Sequence, residues 1–179
     1  MTAYIAFLRG VNVGGNKMIA MADLREMLAA LGFQDAKTLL QSGNAVFRHK
    51  AHLPAKLEQL LEKEMNARLG LTADCHVRTA AELRAAIEAN PLTAEAKKDP
   101  SHLLVSFFRA PLDMARVKAA QAAITGPEIV RADGRHLYTF YPTGMGTSQA
   151  GVVIDKALGV RGTARNWNTV QKLAALAGS

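Results

Sequence analysis

Short apolar runs alternate with amphipathic stretches along most of this chain. Residues 3–8 (AYIAFL) form an apolar run suited to a buried strand. A Gly-rich loop, RGVNVGGNK, follows, and then Leu24, Met27, Leu28 and Leu31 recur at helical spacing. Gly32 is placed to end that helix in the left-handed conformation. AKTLL and NAVFRH read as two strands around Gln41-Ser42-Gly43-Asn44, whose residues tolerate positive φ and predict a sharp reversal. A second helix over 53–69 buries Leu57, Leu60, Leu61 and Met65, opens on Pro54 and closes at Gly70. ADCHVR (73–78) completes a β-α-β-β-α-β order, the split ferredoxin-like arrangement.

Thr79 and Glu82 have the spacing of a capping box, in which each side chain bonds a free amide at a helix start. That helix stops at Asn90-Pro91, and the polar stretch LTAEAKKDPS reads as a hinge. HLLVSFF is a strand, and 111–124 a helix with Met114, Val117 and Ile124 on one face. EIVRADGRHLYTFY is a hairpin with Asp133-Gly134 in its turn. Two Ala-rich helices, about 147–158 and 167–177, end the chain. The fold class is therefore α+β. A ferredoxin-like lobe (1–90) precedes a related α+β lobe (91–179) that ends in two helices and lacks the last strand of the first lobe.

Composition narrows the function classes. Of the 179 residues, 49% are hydrophobic and 21% charged, which excludes wholesale disorder. The single cysteine, Cys75, excludes an intrachain disulfide and a thiolate zinc cluster, and it is expected in the core. The N-terminus reads as a strand, not a signal peptide, and no apolar run is long enough for a membrane span, so the cytoplasm is expected. The formal charge is +7. Residues 1–90 hold eleven basic against nine acidic side chains, and residues 91–179 eleven against six. After Asp155 no acidic side chain remains, whereas Lys156, Arg161, Arg165 and Lys172 are basic. Such an end attracts phosphates, nucleic acid or acidic partners.

Three loops are richer in Gly, Asn, Thr and Arg than a connection requires. In Arg9-Gly10-Val11-Asn12-Val13-Gly14-Gly15-Asn16-Lys17, glycines allow backbone amides to converge, and Arg9 and Lys17 add charge. The spacing fits neither a P-loop nor a dinucleotide fingerprint. Tyr141–Ser148 places Gly144, Gly146 and three hydroxyls before a helix, and Thr147 or Ser148 would cap it. Arg161–Thr169 offers the guanidinium fork of Arg165, the amide of Asn166 and the only tryptophan, Trp167. Trp167 is either a hydrophobic staple or a stacking platform. These loops contain no Asp, Glu, His or Cys, and the five histidines show no ligand spacing, so neither a metal site nor a cofactor is expected. Nothing identifies a catalytic residue, and His136, Tyr138 and Tyr141 are the acid/base candidates left.

Together, LRGVNVGGNK, LLQSGNAVF, YPTGMGTS and TARNWNTVQKLAAL resemble the bacterial domain-of-unknown-function 1697 family over nearly the whole chain. The resemblance implies a compact α+β form with ferredoxin-like pairing and no established activity. Its hallmark positions fall here on Arg9, Gly10, Asn12, Gly14, Gly15, Gln41, Ser42, Gly43 and Asn44. In the C-terminal part they fall on Pro142, Gly144, Ser148, Thr163, Arg165, Asn166, Trp167 and Thr169. A further basic residue common in the family's Gly-rich loop is replaced here by Met18.

Three readings follow. In the first, Arg9, Gly10, Asn12, Gly14, Gly15, Lys17, Ser42, Asn44, Gly144, Ser148, Arg165, Asn166 and Trp167 bind a phosphate-bearing ligand, a nucleotide or nucleic acid. The second is an enzyme acting on a small anionic metabolite held by Arg9 and Arg165. The third is a structural or protein-interaction module whose motifs are caps and turns. No membrane partner is expected, and the aromatic signature of sequence-specific RNA binding is absent.

Overall fold

The computed structural model describes residues 1–15 and 17–178. Asn16 of the Gly-rich loop lies outside the described residues. The elements run β1 (Thr2–Leu8), α1 (Met21–Ala30), β2 (Gln34–Leu39), β3 (Asn44–His49), α2 (Pro54–Leu69), β4 (Cys75–Thr79) and α3 (Ala80–Glu88). They continue through α4 (Thr93–Lys98), β5 (Leu103–Phe107), α5 (Met114–Ala123), β6 (Ile129–Asp133), β7 (His136–Phe140), α6 (Ala150–Leu158), β8 (Thr163–Asn166) and α7 (Trp167–Gly178). Two antiparallel four-stranded sheets result, ordered β2-β3-β1-β4 and β6-β7-β5-β8. No helix among the described residues is long and apolar enough to cross a membrane.

Residues 1–85 with 172–179 form one compact unit and residues 86–171 the other. In the first, alternate residues Tyr4, Ala6 and Leu8 of β1 face α1 and α2, where they pack with Leu24, Leu28, Leu57, Leu61 and Met65. Cys75 is buried in this core, as expected. Two glycines end the helices as the pattern requires, Gly32 at φ 79° and Gly70 at φ 61°. The β4 edge is capped by carboxylates of α2. The amides of Cys75 and Val77 donate to Glu62 and Glu58, each at 2.8 Å. The opposite face of the sheet meets the end of α7, since Leu176 and Ala177 line a small cavity with Ala3, Val46 and Arg48.

The second unit repeats this plan. Leu104, Phe108 and Leu137 pack under α5 and α6 with Val117, Ala120 and Ile154. On the other face, the Tyr138 hydroxyl donates to the carbonyl of Ala86 at the end of α3, 2.5 Å away. The unit is a complete ferredoxin-like arrangement, because β8 supplies the fourth strand that the hydrophobic pattern omits. Thr163-Ala164-Arg165-Asn166 is short and polar, and it becomes a strand only by pairing antiparallel with β5. So β8 separates the two closing helices.

Smaller departures have local causes. The stretch expected as a hinge contains α4, and just before it Asn90 Oδ1 accepts from Leu92 N at 2.9 Å. Met114 is half exposed because it opens α5, and Val117 and Ala120 provide the inward face. In the β6–β7 hairpin Asp133 still pairs with His136, so Gly134 and Arg135 form the two-residue turn.

Candidate functional site

The residues singled out in the sequence fall into two groups, one in each unit. In the first unit, the end of β1 brings the Gly-rich loop beside the β2–β3 turn. Leu8 N donates to Gly43 O at 2.8 Å, and Arg9 N to Asp74 O at 2.9 Å. Asn12 fastens the loop. Its Nδ2 donates to Ile19 O at 3.0 Å and Gln41 O at 2.6 Å, while its Oδ1 accepts from Ile19 N at 2.8 Å. Asn12 adopts φ 54°, a left-handed conformation that asparagine tolerates better than most residues. Asn44 is fully buried and donates to Leu39 O at 2.9 Å and to the Ser42 hydroxyl at 3.1 Å. Gly10, Gly14 and Gly15 all have positive φ and open space where a Cβ would stand. They serve backbone conformation, and with Lys17 they are exposed to solvent.

In the second unit, Ser148 bonds Glu128 and also accepts from Ala150 N at 3.1 Å, so it holds the start of α6. Gly144, at φ 84°, turns the chain where its amide donates to Tyr141 O at 2.9 Å. Asn166 caps α7, its Oδ1 accepting from Thr169 N at 2.9 Å. Arg165 is buried, and its Nη1 donates to Thr163 Oγ1 and Ala164 O, both at 2.8 Å. Arg78 makes the corresponding contact, donating to Val77 O at 2.9 Å. Both arginines sit one residue before the cap of the helix that follows. Trp167 is 5% exposed, which removes its ring face as a platform for a base.

The acid/base candidates are buried as well. His136 packs edge-on against Phe107, with ring centroids 5.5 Å apart. Burial pushes the Tyr138 and Tyr141 phenols above the ordinary tyrosine range, helped by Asp133 for Tyr138 and by Glu128 and Asp155 for Tyr141. No group of three or more metal-ligating side chains occurs among the described residues.

The second unit also holds an arginine-lined cavity that the motif reading did not assemble. A volume of about 460 Å³ opens beside the β5–α5 connection and the end of α6. Arg109, Arg116 and Arg161 line it with Phe108, Leu112 and Asp113. Asp113, its only carboxylate, caps α5 by accepting from Ala115 N at 2.9 Å, and it lies 3.9 Å from Arg116 Nε. Arg116 Nη1 also donates to Leu158 O at 2.9 Å, which ties α5 to the end of α6. The lining carries two net positive charges. One signal was available in the sequence. Phe7-Leu8-Arg9 and Phe107-Phe108-Arg109 end the first strand of their respective units in the same way.

The family described as protein of unknown function (DUF1697) matches residues 1–138. The chain belongs to that family. The match covers residues 1–85 of the first unit and the second unit as far as β7, and it stops before α6, β8 and α7. A solved structure of a conserved bacterial protein from Streptococcus pneumoniae is similar in fold, with a TM-score of 0.75 at 23% identity. The similarity covers 98% of each chain, so the two proteins share a fold. No functionally curated protein matches this chain.

Proposed function

We propose that this DUF1697 protein is a binding module for a phosphate-bearing ligand, and that the arginine-lined cavity of the second unit receives it. The supporting observation is the grouping of Arg109, Arg116 and Arg161 around about 460 Å³ with a single carboxylate among them. That volume suits a nucleotide-sized or smaller ligand. Guanidinium groups match phosphate geometry through paired N–H donors, and Asp113 is already occupied by the α5 cap and Arg116. The Gly-rich loop, with Arg9 and Lys17, is a weaker candidate, because its polar side chain Asn12 is bonded within the fold.

Titration calorimetry with inorganic pyrophosphate tests the reading. Arg109→Ala and Arg161→Ala are each expected to weaken binding about tenfold, the usual scale for losing a hydrogen bond to a charged group. Pyrophosphate binding unchanged in the double variant refutes the site. Loss of binding on Arg9→Ala alone would move the ligand to the Gly-rich loop. A parallel titration with single-stranded oligonucleotide at two salt concentrations separates the ligand classes, since polynucleotide binding collapses as counterions are released.

A further inference from the structure

The two sheets share a topology and a register, so their positions compare pair by pair. Tyr4 lies opposite Phe47 and Thr79, and Leu104 lies opposite Thr139 and Asn166. Phe47 therefore corresponds to Thr139, Ala6 to Ser106, and Val77 to Ala164. In the first unit these residues fill the space beneath the helices. Phe47 is fully buried and stacks on Phe33 with centroids 4.5 Å apart, and Val77 is also fully buried. In the second unit a threonine and an alanine replace the ring and the branched side chain. The helix above is also shorter, nine residues for α6 against sixteen for α2.

The space left is a cavity of about 210 Å³, distinct from the arginine-lined one although Phe108 borders both. Leu104, Leu137 and Ile154 form apolar walls, and Ser106, Thr139, Tyr141 and Asp155 bring polar groups. Thr139 is 2% exposed and Tyr141 6% exposed, so both are nine-tenths buried. Among the described residues, neither hydroxyl has a hydrogen-bond partner, and Ser106 has none either. These hydroxyls open onto the cavity, where a ligand or water can receive them. Asp155 is exposed and supplies the only formal charge on the lining.

The geometry points to a second binding site here, for a small primary ammonium on a short apolar body. The carboxylate of Asp155 and the hydroxyls of Thr139 and Ser106 supply acceptors for the three N–H donors of an ammonium. Leu104, Leu137 and Ile154 receive the carbon portion. The unit-one counterparts Ala6 and Phe47 have neither the room nor the polar groups, so the site belongs to the second unit alone. It holds independently of the phosphate reading, because none of the cavity arginines lines it.

The test is a titration of the full-length, isotope-labelled protein with isobutylammonium chloride, followed by amide chemical shifts at Gly151 and Ala164. Isobutanol runs in parallel as the neutral counterpart. Saturable shifts with the ammonium are expected, weakened about tenfold by Asp155→Asn and a few-fold by Thr139→Val. Thr139→Phe, which restores the unit-one residue, is expected to abolish them. Thr139→Val remains decisive if the larger residue disturbs folding. Isobutanol binding as tightly as the ammonium overturns the ligand class. The absence of saturable shifts, or shifts indifferent to both Asp155→Asn and Thr139→Val, overturns the site. Arg109→Ala is expected to leave the ammonium titration unchanged, so this inference and the phosphate reading fail separately.

Discussion

Replacing Gly43 with alanine separates two roles that glycine plays in these loops. Gly43 has φ 81° and closes the β2–β3 turn, and a Cβ there would lie 2.8 Å from the Leu8 Cβ and would also collide with Val11. Both neighbours are buried core residues, so neither can swing aside into solvent. The left-handed conformation costs an L-residue about 1–2 kcal/mol. Overpacking against a fixed neighbour costs about 1–3 kcal/mol more. Gly10 makes the control. Its φ is 66°, yet nothing lies within 4 Å of the added Cβ, so only the conformational cost applies. Loss of unfolded-state freedom is the same for both substitutions and cancels in the comparison. Gly43→Ala should therefore be less stable than Gly10→Ala by about 1–3 kcal/mol. For a chain of this length that is about 2–4 °C in melting temperature per kcal/mol. Urea denaturation followed by circular dichroism measures it, with unchanged m-values confirming that the folded state carries the effect. If the two variants agree within about 0.5 kcal/mol, the close approach of Gly43 to Leu8 is not a real constraint, and the argument fails.

Asn12→Ala should destabilise by about 2–3 kcal/mol through the loss of its hydrogen bonds to Ile19 and Gln41, measured in the same urea assay. Asn12→Gly, which relieves φ but not the hydrogen bonds, should recover only part of that loss. Glu58→Ala removes the acceptor of the Val77 amide at the β4 edge and should cost about 1–3 kcal/mol, read as faster amide exchange in β4. Tyr138 and Tyr141 favour the neutral phenol in the fold. Their folded pKa values lie above the unfolded ones, so their contribution is complete below about pH 10 and lost as pH rises beyond it. Absorbance titration should show two phenols ionising above the free tyrosine range, and Tyr138→Phe should leave one.

A polar side chain is open to a ligand only where the fold has not already engaged it. The sequence marks Asn44, Ser148, Arg165 and Asn166 as polar residues in unusual loops, and in that respect a cap and a ligand contact look alike. Asn166 and Ser148 prove to hold helix starts, and Asn44 and Arg165 bond within their own sheets. The arginine-lined cavity was hidden for the opposite reason. Arg109 and Arg116 stand in unremarked sequence, and Arg161, which opens one of the three unusual loops, is about fifty residues from Arg109. Only the packing of α5 beside the end of α6 brings them to one place.

Local physical chemistry is sufficient for what the sequence determined alone: the α+β class, the helices closed by Gly32 and Gly70, the Thr79–Glu82 capping box and the ferredoxin-like order of the first unit. Each rests on interactions among residues close in the chain, which hydrophobic period and cap chemistry record directly. The tertiary structure alone decided that Thr163–Asn166 is a strand, that Trp167 is buried, and that Thr139 leaves room where Phe47 fills it. These outcomes depend on partners distant in sequence. Asn166 lies opposite Leu104, and Thr139 opposite the same residue on its other side. Four residues, three of them polar, carry no strand period of their own, and a threonine does not announce the volume around it. Pairing with β5 supplies the missing backbone hydrogen bonds for one, and the shortness of α6 leaves the space beside the other.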